Sequence, residues 1–364
     1  HAGLPAEATG ARPGPISVFL KVASGVLSGA LIVLLFMAII PKVTEYQSVG
    51  DSLKSMSPLT IALLFVMAVL IRLVLAASYD AVMPGLSLWR SLVAREASSA
   101  VSNVIPGPSG TAAQWAILRS WDVTTERFAQ ATLAVSVSTD VLILAGPGAF
   151  FVLWALSGMP DSPDGGNAWA FGLGAVILSV LSVVVVAGVA KSMKLAGRLG
   201  RLCQACVNPL RRVISKPRIT DLPEKFVVLR ADMIEVLRLY GRMLLSWVVS
   251  GYLLNGVLLV ACLWACGASR NELPMSLGLM LYAVGRIATI IQITPGGVGV
   301  VEIAYTSVYV AVLGESAQPA IVAGVLVYRM FTYLLPIITG AFAYVVWRVM
   351  RRSELHHEAA AESA

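Results

Sequence analysis

Between Ala168 and Ala190 the chain carries no Asp, Glu, Lys or Arg, and runs almost as free of charge recur along its length. About 20 such residues are what an α-helix needs to cross the roughly 30 Å of hydrocarbon in a bilayer. Backbone N–H and C=O groups find no water at that depth, so apolar runs of this length take the helical form. Composition agrees: 57% of the 364 residues are hydrophobic and 13% are charged, far from the balance of a soluble globular domain. The chain is therefore expected to be an all-α integral membrane protein.

Six spanning segments are predicted: Ile16 to Ile40, Pro58 to Ser78, Arg127 to Ser157, Ala168 to Ala190, Met243 to Cys266 and Pro319 to Val349. Two further apolar stretches, residues 86–122 and 274–313, are each broken by a Pro/Gly cluster, Ile105 to Gly110 in one and Thr294 to Gly299 in the other. Orientation follows from loop charge, because cytoplasmic loops hold an excess of Lys and Arg. Residues 191–242 contain 12 Lys/Arg against 4 Asp/Glu, a net charge of +8 in a chain whose total is +7. That loop is expected in the cytoplasm, together with both termini. The connections Pro41 to Ser57, Gly158 to Asn167 and Gly267 to Leu273 hold few basic residues and are expected outside.

These sides are compatible with six spans only if both broken stretches enter and leave on one side, as re-entrant helical hairpins. Each half then reads span, span, hairpin, span from opposite faces, which is an inverted-topology repeat. A shift of 189 positions supports it, placing Pro106 on Pro295, Gly107 on Gly296, Gly110 on Gly299 and Asp140 on Arg329. The expected organisation is a tail over 1–15 and a first repeat over 16–157 with hairpin 86–122. A second repeat over 158–349 follows, with the basic loop 191–242 and hairpin 274–313, and then a tail over 350–364. Residues 1–15, rich in Ala, Gly and Pro, resemble a processed tail more than a signal peptide. Within the basic loop a separate surface helix is predicted over Leu222 to Gly241. Its N-cap would be Asp221, with Pro223 and Glu224 in the first turn. Its apolar face would lie at the membrane interface or pack on the bundle.

Cofactor chemistry has little to work with. The three histidines are His1, His356 and His357, all at the chain ends, so haem or a membrane-embedded metal site lacks imidazole. The Cys203–Cys206 pair lacks two further ligands for zinc, and Cys262 and Cys266 suit packing. No cofactor or metal is expected.

Charges inside spans are costly and each needs a partner or a purpose. The set is Arg72, Asp140, Arg286, Glu302 and Arg329, with Asn103, Gln114, Asn255 and Gln292 as neutral companions. A buried arginine can hold phosphate or carboxylate bidentately, or can be tied to Asp140 or Glu302. The Pro/Gly clusters add unpaired backbone N–H groups and helix N-termini that favour anions. Gly296, Gly297 and Gly299 allow tight turns there.

The segment Pro295-Gly-Gly-Val-Gly-Val-Val-Glu302, followed by Val327-Tyr328-Arg329-Met-Phe-Thr-Tyr-Leu-Leu-Pro336, closely resembles the lysylphosphatidylglycerol synthase transmembrane-region family. Asn103-Val-Ile-Pro106 with Gly110 resembles the family's signature in the first half. Thr111 and Gln114 depart from the Glu and Arg that many members carry there. The resemblance covers essentially all the spans and implies lipid translocation. No soluble aminoacyl-transferase domain follows Arg352, so the synthase activity itself is not expected here. On that footing Arg329 and Arg72 would engage an anionic head group, and Glu302 and Asp140 would gate or hold those arginines. Separately, the 189-position register of the inverted repeat predicts that Asp140 faces Arg329 across the cavity. Arg286, Tyr328, Asn103, Pro106, Gly110, Pro295, Gly296, Gly297 and Gly299 would shape the site. The implied cargo is an anionic phospholipid or a polyprenyl-phosphate lipid, carried by a multi-pass protein of the cytoplasmic membrane. Nucleic acid is not an expected partner, whereas a second copy or a glycosyltransferase is compatible. The competing functions are an intramembrane transferase acting on a lipid-linked substrate and a scaffold for a glycosyltransferase. Asp140 or Glu302 could serve the transferase as acid or base.

Overall fold

A computed structural model describes residues 56–105, 107–158, 165–213, 219–290 and 294–362. The predicted tail over 1–15, the span Ile16 to Ile40, and Pro106 and Gln292 lie outside these residues. Among the described residues every regular element is helical. Among the described residues six helical segments are long and apolar enough to cross a bilayer: Pro58–Asp80, Thr125–Leu156, Ala168–Lys191, Leu222–Ala265, Pro295–Leu313 and Glu315–Arg351. Five of them correspond to predicted spans. The sixth, Pro295–Leu313, was expected as one arm of a hairpin.

Helix α1 (Pro58–Asp80) begins where Ser57 Oγ accepts the Thr60 N–H at 3.1 Å and Pro58 occupies the first turn, both favourable at a helix start. Leu64, Ala68, Ile71 and Val74 are buried, while Leu59, Leu63, Val66 and Leu70 face outward. A helix apolar on both faces can pack on protein with one and meet lipid with the other.

The first broken stretch forms α2 (Leu88–Val104) and α3 (Ser109–Arg119). The arms lie side by side. Near the break the Ser98 hydroxyl donates to the Gly110 carbonyl at 2.8 Å, and at the open end Arg90 sits over the Trp121 ring at 5.3 Å. At 17 and 11 residues and 1.5 Å of rise per residue, the arms reach only about 26 and 17 Å.

Helices α4 (Thr125–Leu156) and α5 (Gly165–Lys191) are joined by a serine. Pro147 interrupts the α4 backbone ladder, and Ser179 of α5 enters the gap. Its Oγ accepts from the Gly148 N–H at 2.8 Å and donates to the Leu144 carbonyl at 3.1 Å. The two groups that an unbroken helix would pair directly are thus paired through a neighbouring side chain, as buried backbone groups require.

Helix α6 (Met193–Val213) packs along α7 (Leu222–Ala265). Here the structure corrects the predicted surface helix. Leu222 to Gly241 is continuous with the following span, giving one helix of 44 residues, about 66 Å long by the same rise and more than twice the hydrocarbon thickness. A single Gly241 costs only about 1 kcal/mol in a helix, and docking on α6 offsets that. Gly200 of α6 lets the Pro223 backbone approach closely, and Arg230 Nε donates to the Val189 carbonyl at the end of α5 at 2.9 Å. Asp221 makes no side-chain capping bond and instead pairs with Lys225 at 2.8 Å.

The second broken stretch forms α8 (Met275–Ile287) and α9 (Val300–Leu313), with the Pro295–Gly297 turn in the break. Tyr309, near the end of α9, donates its hydroxyl to the carbonyl of Gly278, near the start of α8, at 2.6 Å. The arms are therefore antiparallel neighbours. The last span is α10 (Gln318–Arg329), a π-helical turn over Met330–Leu334, and α11 (Leu335–Glu362). The sequence predicted no such interruption.

Packing between the two predicted repeats is reciprocal: α2 lies on α11, α8 lies on α4, and α1 lies on α7. Gly340 of α11 lets the Glu96 backbone of α2 come into contact, and any Cβ there would collide with it.

Candidate functional site

The two breaks meet. Asn103, at the end of α2, donates Nδ2 to the Tyr333 carbonyl at 3.0 Å, and the Tyr333 hydroxyl donates to the Asn103 carbonyl at 3.3 Å. A Cβ on Gly296 would strike the Tyr333 ring and lie 3.2 Å from Asn103 Oδ1. Gly296, Gly297 and Gly299 all have positive φ, 57°, 69° and 83°, as expected for the turn. Gly110 is different: its φ is ordinary, but a Cβ would lie 2.7 Å from Ser102 Cβ and from the Ser98 carbonyl. It is glycine so that the hairpin arms can touch.

Beside this junction is a cavity of about 300 Å³, at the lower end of ligand-site volumes. Arg72, Arg95, Arg286 and Arg329 line it, together with Asn103, Asn255, Tyr252, Tyr282, Tyr328, Gly296 and Gly297. Of the sequence candidates, Arg72, Asn103, Arg286, Gly296, Gly297, Tyr328 and Arg329 come together here. Pro295 and Gly299 hold the turn behind it. Thr111 and Gln114 are not among the lining residues; the first is exposed and the second buried.

Two ion pairs stand at the cavity wall. Arg329 Nε donates to Glu302 Oε1 at 2.7 Å, Arg329 Nη2 donates to the Gly296 carbonyl at 2.8 Å, and the guanidinium lies 4.9 Å over the Tyr333 ring. The other oxygen of Glu302 accepts the Gly299 N–H at 2.7 Å, the bond that a carboxylate in the first turn makes to a helix start. Arg72 Nε donates to Glu96 Oε1 at 2.7 Å, and Glu96 Oε2 accepts from the Thr339 hydroxyl at 2.5 Å.

Asp140 does not pair with Arg329, contrary to expectation. It is exposed, and its electrostatic partner is Arg286. Matching register under the 189-residue shift does not by itself bring side chains together, and Arg329 turns toward the nearby 295–302 segment, where a carboxylate is already fixed. Sequence reasoning also missed Glu96 and Arg95. Both lie on α2, and two charges in a stretch assigned to membrane depth were the available signal. Arg95 sits over the Tyr79 ring at 5.4 Å, beside the Arg72–Glu96 pair. Among the described residues no group of three or more His, Cys, Asp or Glu could hold a metal.

Chemically the cavity offers guanidinium groups and phenols in a low-dielectric wall, a donor-rich surface suited to an anion. The family model described as the lysylphosphatidylglycerol synthase TM region matches residues 18–340. No curated protein shows significant similarity to the chain.

Proposed function

The chain belongs to the lysylphosphatidylglycerol synthase transmembrane-region family, and from that premise we propose that it moves an anionic lipid between membrane leaflets without altering it. The observation that carries this is the cavity: four arginines line it, and residues of both broken stretches reach it. A volume near 300 Å³ suits a head group, while the acyl or prenyl chains remain in the bilayer.

The arms of the first broken stretch are too short to span singly, and in both stretches the arms lie side by side, which supports re-entrant hairpins reaching the cavity from opposite faces. The reciprocal packing of α2 on α11 and α8 on α4 supports an inverted repeat about the α1–α7 contact. Alternating access in such folds is a rocking of the repeats around a fixed site. The cargo is a phospholipid or polyprenyl phosphate of the cytoplasmic membrane, with the α6–α7 projection in the cytoplasm.

Purified protein in phosphatidylcholine vesicles holding labelled phosphatidylglycerol or polyprenyl phosphate tests this. Faster leaflet exchange than in protein-free vesicles is expected for at least one of the two. A chemically changed lipid would instead identify a transferase. An unmoved and unchanged lipid of either kind would leave the scaffold.

A further inference from the structure

The four cavity arginines are not equivalent. Arg329 is held by Glu302, by the Gly296 carbonyl and by the Tyr333 ring, and Arg72 is held by Glu96. Both carboxylates spend their second oxygen inside the protein, Glu302 on the Gly299 N–H and Glu96 on Thr339. An anion entering between these partners would have to displace a short charge-assisted bond. Such bonds are among the strongest that a site of this kind contains. Arg95 shares the field of the Arg72–Glu96 pair.

Among the described residues neither Arg95 nor Arg286 has a carboxylate within ion-pair distance, and the Nε of each is buried with no hydrogen-bond partner, as is Arg72 Nη2. Arg95, however, lies over the Tyr79 ring beside Glu96, whereas Arg286 is surrounded by phenols. Around it are the phenols of Tyr252, Tyr282, Tyr305 and Tyr328, linked ring to ring at 5.3, 5.9 and 5.9 Å. The hydroxyls of Tyr252 and Tyr282 are also buried without a partner, and both residues line the cavity beside Arg286. Asp140 acts on Arg286 electrostatically, but it is exposed and makes no ion pair among the described residues. Asn255, the neighbouring amide, gives Nδ2 to the Gly251 carbonyl at 2.8 Å.

Three polar groups capable of donating thus converge on one part of the cavity with no acceptor supplied by the described protein. Buried donors are nearly always satisfied, so an unsatisfied set implies a ligand or water. Phosphate oxygens only accept, carry charge, and match a guanidinium flanked by hydroxyls. We propose that Arg286, with the hydroxyls of Tyr252 and Tyr282, is the phosphate subsite of the cavity, and that Arg72 and Arg329 serve as latches between helices. This assignment rests on the lipid-transfer reading above for the source of the phosphate.

The test uses the full chain in detergent, titrated with short-chain phosphatidylglycerol, inorganic phosphate and, as an uncharged probe, short-chain diacylglycerol. Tyr252→Phe and Tyr282→Phe remove one unpartnered oxygen each. Each is expected to leave unliganded thermal stability unchanged or raised and to weaken phosphatidylglycerol binding roughly tenfold, the scale of a hydrogen bond to a charged group. Arg286→Gln is expected to abolish saturable binding, and Arg270→Gln, which alters the residue stacked on Trp264, to bind as the parent does. Phenylalanine variants that lose stability but keep full affinity would overturn the assignment, as would parental affinity in Arg286→Gln. Saturation by inorganic phosphate with no phosphatidylglycerol binding would keep the subsite and assign it to a soluble anion. The same variants in vesicles separate the two levels of inference. If the parent moves labelled lipid and all three variants move it equally fast, the subsite is wrong and the transfer reading stands. If the parent binds and moves no lipid of any kind, the transfer reading is wrong.

Discussion

Among the described residues two part-buried ion pairs link separate helices, Arg72 to Glu96 and Arg329 to Glu302, with side chains exposed by no more than 19%. Removing one member leaves a charge in a poor solvent, which costs about 3–5 kcal/mol, whereas removing both can be close to neutral. Glu302→Ala is expected to lower thermal stability strongly, since the Gly299 N–H loses its acceptor as well. Arg329→Ala should do likewise, and the double variant should lose less than the sum. Additivity between them, measured by a thermal double-mutant cycle, would show that the pair does no work. Asp140→Ala combined with Arg329→Ala should be additive, because these residues are not partners.

At the scale of elements the two hairpins use glycine for different reasons. Gly107 has a φ of 89° and open space around its missing side chain, whereas Gly110 has an ordinary φ and two atoms within 2.7 Å of a would-be Cβ. Asparagine tolerates the left-handed region but still needs room. Gly107→Asn is therefore expected to cost no more than about 1–2 kcal/mol. Gly110→Asn should cost at least the roughly 1–3 kcal/mol of overpacking, because the α2 and α3 arms must separate. Equal melting temperatures for the two variants would mean that the arms do not touch as described. The shift of 189 residues pairs Gly107 with Gly296, both at positive φ, and pairs Gly110 with Gly299, where the reason for glycine differs. Register matched the residue type in both cases and the physical cause in only one.

For the whole molecule, sidedness remains the widest prediction. The α6–α7 projection carries most of the basic residues of the 191–242 loop and is expected in the cytoplasm by the charge rule. Cys206 on α6 is exposed and free, so in cells treated with a membrane-impermeant maleimide it should stay unlabelled. A cysteine replacing the exposed Ser269, between α7 and α8, should react. The opposite pattern would invert the topology and with it the two faces from which the hairpins are proposed to enter.

Membrane class, five of the six described spans and both Pro/Gly breaks could be read from the sequence because each depends on local chemistry. Apolar length sets a spanning helix, and a Pro/Gly cluster ends one wherever it occurs. The family signature over 295–302 and 327–336 also lies within short segments. The tertiary structure alone decided the rest. Glu96 meets Arg72 across 24 residues, Thr339 meets Glu96 across 243, and Asn103 meets Tyr333 across 230. No periodicity specifies such partners, since a helix face states only that a side chain is buried. The fusion of Leu222–Gly241 with its span, the π turn after Arg329 and the serine threaded into α4 likewise depend on neighbours. Each one departs from the local preference of its own segment and persists because another helix supplies the compensating contact.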